Sequence, residues 1–184
     1  QIVSLAQSMA TNLLSISGTT GTSTVSTIST EASSTLSQIA TVLNVSNGTG
    51  YAFAGQVSTE PPIKDPSSVA SGRTSTTVAD TLSQLTSGAS VDSILRQATT
   101  LMNEDSSIFS STISTASATD GTASSTDGTA SLTTALTQQT STITGDGTSS
   151  TYGVVATQGK TSDVKPTSTG SPIKDLMRDM MLIS

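Results

Sequence analysis

The sequence lacks the residues on which most metal sites and nucleophilic active sites depend. It contains no cysteine and no histidine, which excludes disulfides, thiolate metal sites, cysteine nucleophiles and Ser-His-Asp triads. It also contains no tryptophan, only two tyrosines and only two phenylalanines. These absences disfavour an enzyme, and we predict that the protein is not one.

Charged residues are scarce as well. They make up 11% of the 184 residues, with seven Lys and Arg against thirteen Asp and Glu, for a formal net charge of −6. The basic residues are scattered singly, which gives no footprint for nucleic acid. No apolar run reaches the roughly 18 residues that span a bilayer. We therefore predict neither a nucleic-acid partner nor a membrane partner.

Serine and threonine replace much of the usual apolar content. Hydrophobic residues amount to 33%, against about 45–50% in globular proteins. The same composition is typical of a disordered, mucin-like surface stalk. Regular apolar spacing would favour a folded chain over that alternative, and such spacing is present.

Two apolar patterns near the start predict two helices separated by a Gly-Thr turn at 18–22. The first pattern consists of Ile2, Leu5, Met9, Leu13 and Ile16, and the second of Val25, Ile28, Ala32, Leu36, Ile39 and Leu43. Serine and threonine cost a few tenths of a kcal/mol each in a helix interior relative to alanine. Each buried aliphatic side chain contributes about 1.5–3 kcal/mol. We therefore expect another part of the chain to cover the second apolar seam.

Two short strands are predicted where the chain concentrates its aromatics. The segment NGTGYAFAGQVSTEPPI at 47–63 begins with an Asn-Gly pair that ends the second helix, and YAFA at 51–54 alternates large and small residues. A later run, TYGVVA at 151–156, predicts the second strand. We expect the aromatic side chains of both strands to pack one small core between them: Tyr51, Phe53 and Tyr152.

The middle of the chain, 65–148, is less regular. Val78, Leu82 and Leu85 predict a short helix, and a stronger pattern begins at a good N-cap residue, Ser90. The apolar face of that second helix is Val91, Ile94, Leu95, Ala98, Leu101 and Met102. Ile108 and Phe109 either extend it or begin the next element.

A glycine-containing repeat, TDGTASSTDGTAS at 119–131, predicts an exposed loop. Leu132, Leu136 and Ile143 permit another short helix, and GDGT at 145–148 predicts a turn. A last helix begins at Ser171, an N-cap followed by proline at the first helical position. Its apolar stripe is Ile173, Leu176, Met177, Met180 and Met181.

Several short patterns resemble sites but have simpler readings. Ser171 and Lys174 fit a Ser-x-x-Lys acyl-transfer pattern, yet a helix start explains them. Asp120, Asp127 and Asp146 each precede glycine, but no cluster has the further carboxylates of a calcium loop, so turns are favoured.

Two further patterns, the Asn-x-Ser/Thr sequences and a methionine cluster, are also explained without a functional site. Asn44 and Asn47 begin N-glycosylation acceptor patterns, which arise by chance in a Ser/Thr-rich chain. The methionines at 177–181 are expected to form a packing face. We predict no catalytic, cofactor-binding or metal-binding residue and no cofactor.

The order of these elements resembles the bacterial flagellin superfamily, and most closely its hook–filament junction (hook-associated) proteins. The resemblance rests on the two initial helices, on the segment 47–63 with its Tyr-x-Phe-x-Gly and Pro-Pro, and on TYGVVA followed by SPIKDLMRDMMLIS. It covers about 1–63 and 150–184. The segment 64–149 carries no signature of the family.

The resemblance implies an α+β, mainly helical fold. A helical rod domain with short β-strands would consist of 1–63 and 150–184, and 64–149 would be a variable outer domain. It implies a structural subunit of the extracellular flagellum that self-assembles into a tubular filament. Its partners would be other flagellin or hook-associated subunits. The terminal polymerisation helices of the family have no counterpart here, so we expect a truncated, monomeric chain.

A flagellin homologue at the cell surface that binds carbohydrate or acts as an adhesin is the alternative function. Such a protein needs exposed aromatic or carboxylate side chains in its outer domain. Between 64 and 150 only Phe109 and a few scattered acidic residues are available.

Overall fold

Helices dominate the chain. The structure, a computed structural model, describes residues 1–16, 21–104, 107–114 and 139–184. Within these ranges the fold is α+β and mainly helical, with two small antiparallel sheets of two strands each. The helices are α1 (Ile2–Ile16), α2 (Thr22–Leu43), α3 (Arg73–Asp80), α4 (Val91–Glu104) and α5 (Pro172–Ile183). The strands are β1 (Thr140–Ile143), β2 (Ser149–Tyr152), β3 (Val164–Lys165) and β4 (Ser168–Thr169).

Apolar spacing predicted α1, α2, α4 and α5, and it predicted only the end of α3. At the start of α4, the hydroxyl of Ser90 accepts a hydrogen bond from the backbone N–H of Ser93 at 3.1 Å, as an N-cap does. The predicted helix over 78–85 is divided, because α3 continues directly into a 3-10 helix, Thr81–Ser87. The predicted end of α2 at Asn47 was wrong, because α2 ends at Leu43.

One hydrophobic core joins the helices. The C-terminal helix α5 packs against α2, α3 and α4, while α1 packs against α2. The predicted seam of α2 therefore has the cover it needs. The fully buried members of this core include Met9, Leu36, Ile39, Leu43, Ile63, Val78, Met102, Phe109, Ile113, Met177 and Met181.

The predicted strand at 51–54 is absent. Only Tyr51 forms a β-bridge, to Ser46, and the residues after it are turns. The backbone N–H of Ala52 donates back to the carbonyl of Val45 at 3.0 Å. Gly55 has a φ of 68°, which breaks extended structure, and the segment folds on itself instead of forming a strand.

The second predicted strand is present but shifted. β2 ends at Tyr152, because Gly153 has a φ of 84° and turns the chain. It pairs with β1 around the predicted GDGT turn, with Ile143 opposite Ser149. Ile143 thus lies in a strand, and its assignment to a helix with Leu132 and Leu136 was wrong. Those two leucines, the repeat at 119–131 and most of the turn at 18–22 lie outside the described residues.

A close approach of two backbone segments positions α5. The hairpin β3–β4 leads into α5, and the backbone N–H of Lys160 donates to the carbonyl of Gly170 at 3.1 Å. A Cβ atom on Gly159 would lie 1.9 Å from that carbonyl oxygen. Position 159 therefore requires glycine, since any side chain would push the start of α5 away.

Candidate assembly surface

The pair α1–α2 is almost free of charge. Between residues 2 and 43 the only ionisable side chain is Glu31, and the side-chain amide of Asn12 donates a hydrogen bond to its carboxylate. Long-range electrostatics, which are screened by salt, therefore contribute little on this face. Any contact that the surface of α1–α2 makes would depend on packing and hydrogen bonds rather than on charge.

Many hydroxyl groups on this pair are already bonded to their own helix. The side chains of Thr27, Thr30 and Thr41 each donate to the backbone carbonyl four residues earlier at 2.9 Å. Thr11 and Ser37 do the same. Because these hydroxyl protons are used internally, the helix surface is less polar than its composition indicates.

Two grooves run between α1 and α2. One, of about 570 Å³, has Leu5 and Val42 among serine, glutamine and threonine side chains. The other, of about 410 Å³, contains Ile28 and Glu31. Both are shallow clefts between helices, lined by uncharged groups except at Glu31.

Apolar side chains also project from this pair into solvent. Val3 and Leu14 on α1 are 68% and 75% exposed, and Val25 on α2 is 61% exposed. The prediction that Val25 belongs to the buried seam was wrong. Ser29, one turn later, bonds to Ser184 just past the end of α5, and Val25 lies beyond this contact and is exposed. Exposed apolar side chains on an uncharged helical face suit lateral packing against another protein surface.

Sequence patterns missed a buried polar network on α5. The guanidinium of Arg178 is 4% exposed and donates to the hydroxyl of Thr99, to the carbonyl of Thr167 and to the carboxylate of Asp175. Asp175 also accepts from Ser168 and Thr169. The network fixes the hairpin β3–β4 to α5. Lys174 and Asp175 lie four and three residues before Arg178, so each is a neighbour of Arg178 on the helix surface. This spacing was the signal that could have revealed the network.

A second acid borders this network. Asp179 accepts two hydrogen bonds from the guanidinium of Arg178, at 2.9 and 2.7 Å. Partial burial raises the pKa of Asp179, and the positive charge of Arg178 opposes that rise without cancelling it. The Asp179 carboxylate is thus bonded to the guanidinium of Arg178 in a partly buried environment that disfavours its negative charge.

The Ser-x-x-Lys residues do not form an accessible site. Ser171 and Lys174 are both buried, at 0% and 3% exposure. The ammonium of Lys174 donates to the side chain of Asn103 at 3.1 Å. Ser171 precedes Pro172 at the helix start, as predicted, but its hydroxyl makes no capping bond and has no partner within the described residues.

The aspartate that precedes Gly147 lies in a turn. Asp146 accepts from the hydroxyls of Thr144 and Thr148 and from the backbone N–H of Thr148, and these bonds lower its pKa to about 2. No group of three or more potential ligands that could hold a metal ion occurs among the described residues. Asp120 and Asp127 lie outside them.

The aromatic residues divide differently from the prediction. Phe53 is half-buried against the core, and its carbonyl accepts a hydrogen bond from the N–H of Ala156 at 3.0 Å. Tyr152 is 56% exposed, so its predicted place in the core was wrong. The fully buried aromatic is Phe109, at 2% exposure, and it forms a β-bridge with Ile63.

The methionines at the end of the chain form part of the core. Met177, Met180 and Met181 are buried where α5 packs against the other helices, so the predicted packing face is confirmed. No helix in the described ranges has both the length and the apolar character needed to cross a membrane.

No family model, no curated protein sequence and no solved structure matches this chain.

Proposed function

We propose that the protein is a structural subunit of the bacterial flagellum, flagellin-like or a hook–filament junction protein, that acts by self-assembly into a tubular filament. One observation carries this proposal. The C-terminal helix α5 packs along α2, and the hydroxyl of Ser29 donates a hydrogen bond to the carbonyl of Ser184. A rod built from both ends of a chain needs this closure.

The surface of α1–α2 supports the same function. A filament subunit must pack its flank against copies of itself, and complementary uncharged helical faces permit this without like-charge repulsion. The exposed Val3 and Leu14 give such a face apolar contact points. We propose the rod as 1–63 and 150–184 and the variable outer domain as 64–149, although α3 and α4 also pack against α5.

The proposed partners are other flagellin or hook-associated subunits, and the proposed location is the extracellular flagellum. The alternative, a carbohydrate-binding or adhesive homologue, loses its main candidate because Phe109 is buried.

Deleting the gene in the source bacterium tests the proposal. We expect filaments to be absent, shortened or detached from the hook, with a matching loss of swimming, and expression of the full-length gene to restore both. Normal flagella and normal swimming in the deletion strain would contradict it.

A further inference from the structure

Two N-glycosylation acceptor patterns lie next to each other after α2. Asn44-Val45-Ser46 and Asn47-Gly48-Thr49 both have the Asn-x-Ser/Thr form, which marks an acceptor only where the asparagine side chain is accessible. The sequence does not distinguish the two patterns. The fold does, because it places the two asparagine side chains in different environments.

Both polar atoms of the Asn44 side chain help to hold the chain together. Its Nδ2 donates to the carbonyl of Ile63 at 2.7 Å, and its Oδ1 accepts from the N–H of Ile63 at 2.8 Å. The side chain is half-buried at the end of α2. A sugar on Nδ2 would have to displace the buried Ile63 from this pairing.

Asn47 is arranged in the opposite way. Its side chain is exposed, and its Oδ1 accepts from the hydroxyl of Thr49 at 2.7 Å and from the N–H of Thr49 at 3.1 Å. Within the described part of the chain, its Nδ2 makes no hydrogen bond. Beside it, Gly48 has a φ of 86° and open space where a Cβ would be. An enzyme can therefore approach this turn.

We propose that Asn47 is the acceptor for an N-linked sugar, and that Asn44 is not. The donor class is a sugar whose anomeric carbon is activated by a diphosphate. In the transfer, Nδ2 of Asn47 forms a bond to the anomeric carbon, the bond from that carbon to the diphosphate oxygen breaks, and the diphosphate leaves with the electron pair. The proton from Nδ2 passes to a base of the transferase. The hydroxyl of Thr49 assists by polarising the amide through Oδ1, which makes the N–H more acidic.

Two donors share this chemistry, so the test has two arms. The folded protein is incubated with a soluble asparagine glycosyltransferase and a nucleotide-diphosphate sugar, and separately with a membrane oligosaccharyltransferase and a polyprenyl-diphosphate sugar. Intact mass and peptide mapping then locate the sugar. We expect Asn47 to be modified in at least one arm, and that arm identifies the donor.

Matched variants separate the two positions. Thr49→Ala should abolish modification of Asn47. Ser46→Ala, also at an exposed position, removes the Asn44 pattern and the long hydrogen bond from the N–H of Gly48 to the Ser46 hydroxyl at 3.3 Å, and it should leave modification of Asn47 intact. A free peptide of residues 40–55 controls for the fold. Asn44 should react at least about tenfold more slowly in the folded protein than in this peptide, because its reaction must break two hydrogen bonds.

Either of two results would overturn the inference. One is a folded protein that takes no sugar at Asn47 in either arm, whatever the peptide does. The other is a folded protein in which Asn44 is modified as readily as Asn47. Neither result bears on the proposed flagellar function, which the gene deletion tests separately.

Discussion

The hydroxyl of Ser29 donates a hydrogen bond to the backbone carbonyl of Ser184, a residue 155 positions further along the chain. This bond joins α2 to the residue that directly follows α5. Around it, α5 covers the buried seam of α2. The closure is the feature on which both the fold and the proposed function depend, and its strength can be measured.

Truncating the α2 seam should destabilise the protein strongly. Leu36 is 0% exposed beneath the packed helices, so Leu36→Ala should lower the free energy of unfolding by about 2–5 kcal/mol. Val25→Ala on the same helix, 61% exposed, should change it by no more than about 0.5 kcal/mol. Urea unfolding followed by circular dichroism measures both. Similar losses for the two variants would mean that α5 does not cover this seam.

The polar network on α5 should matter far more than a comparable surface ion pair. Arg178→Ala removes a buried guanidinium that bonds to Asp175, to Thr99 and to the carbonyl of Thr167 in the hairpin. The substitution should lower the free energy of unfolding by about 3–5 kcal/mol. The control is Arg96→Ala, because Arg96 and its partner Asp92 are both more than half exposed. That variant should cost about 0.3–0.5 kcal/mol. Equal effects would contradict the burial of Arg178.

Two helix-start serines should respond in opposite ways to alanine. Ser90 caps α4 through the N–H of Ser93, so Ser90→Ala should destabilise by about 1 kcal/mol. The hydroxyl of Ser171 is buried and has no hydrogen-bond partner in the part of the chain that the structure describes. Removing an unpaired buried polar group relieves a desolvation cost. Ser171→Ala should therefore leave the melting temperature unchanged or raise it. A clear drop would show that the hydroxyl has a partner.

The carboxyl group of Asp146, in the turn between β1 and β2, should titrate at unusually low pH. NMR should give a pKa of about 2 for Asp146 in the folded chain. Since this lies below the usual value of 3.8, the ionised carboxylate stabilises the turn above pH ~4, and that stability is lost as the pH falls towards 2. Thr144→Val should raise the pKa, because it removes the strongest hydrogen bond. Thr142→Val, which alters no bond to Asp146, should leave it in place.

Helices could be predicted from this sequence because their signal is local. The seam from Ile28 to Leu43 repeats every three or four residues, and burial on one face requires that spacing. The sequence also predicted that another part of the chain covers this seam, since a Ser/Thr-rich helix is not stable without packing against a partner. The division of the chain into rod and outer domain remains a proposal.

Strands and core aromatics were less predictable because distant partners decide them. YAFA at 51–54 has strand composition, but it forms turns, and Gly55 directly after it adopts a φ of 68°. Phe109 is buried through its β-bridge to Ile63, a pairing that no local pattern shows. Likewise, the choice between Asn44 and Asn47 depends on where Ile63 lies in space.

Flagella purified from the source bacterium offer the most direct test of the proposed function. Peptides of this chain should be found in them by mass spectrometry, and gold-labelled antibodies against it should mark the filament or its junction with the hook in electron micrographs. Absence of these peptides from purified flagella, with antibody label confined to other parts of the cell, would contradict the account.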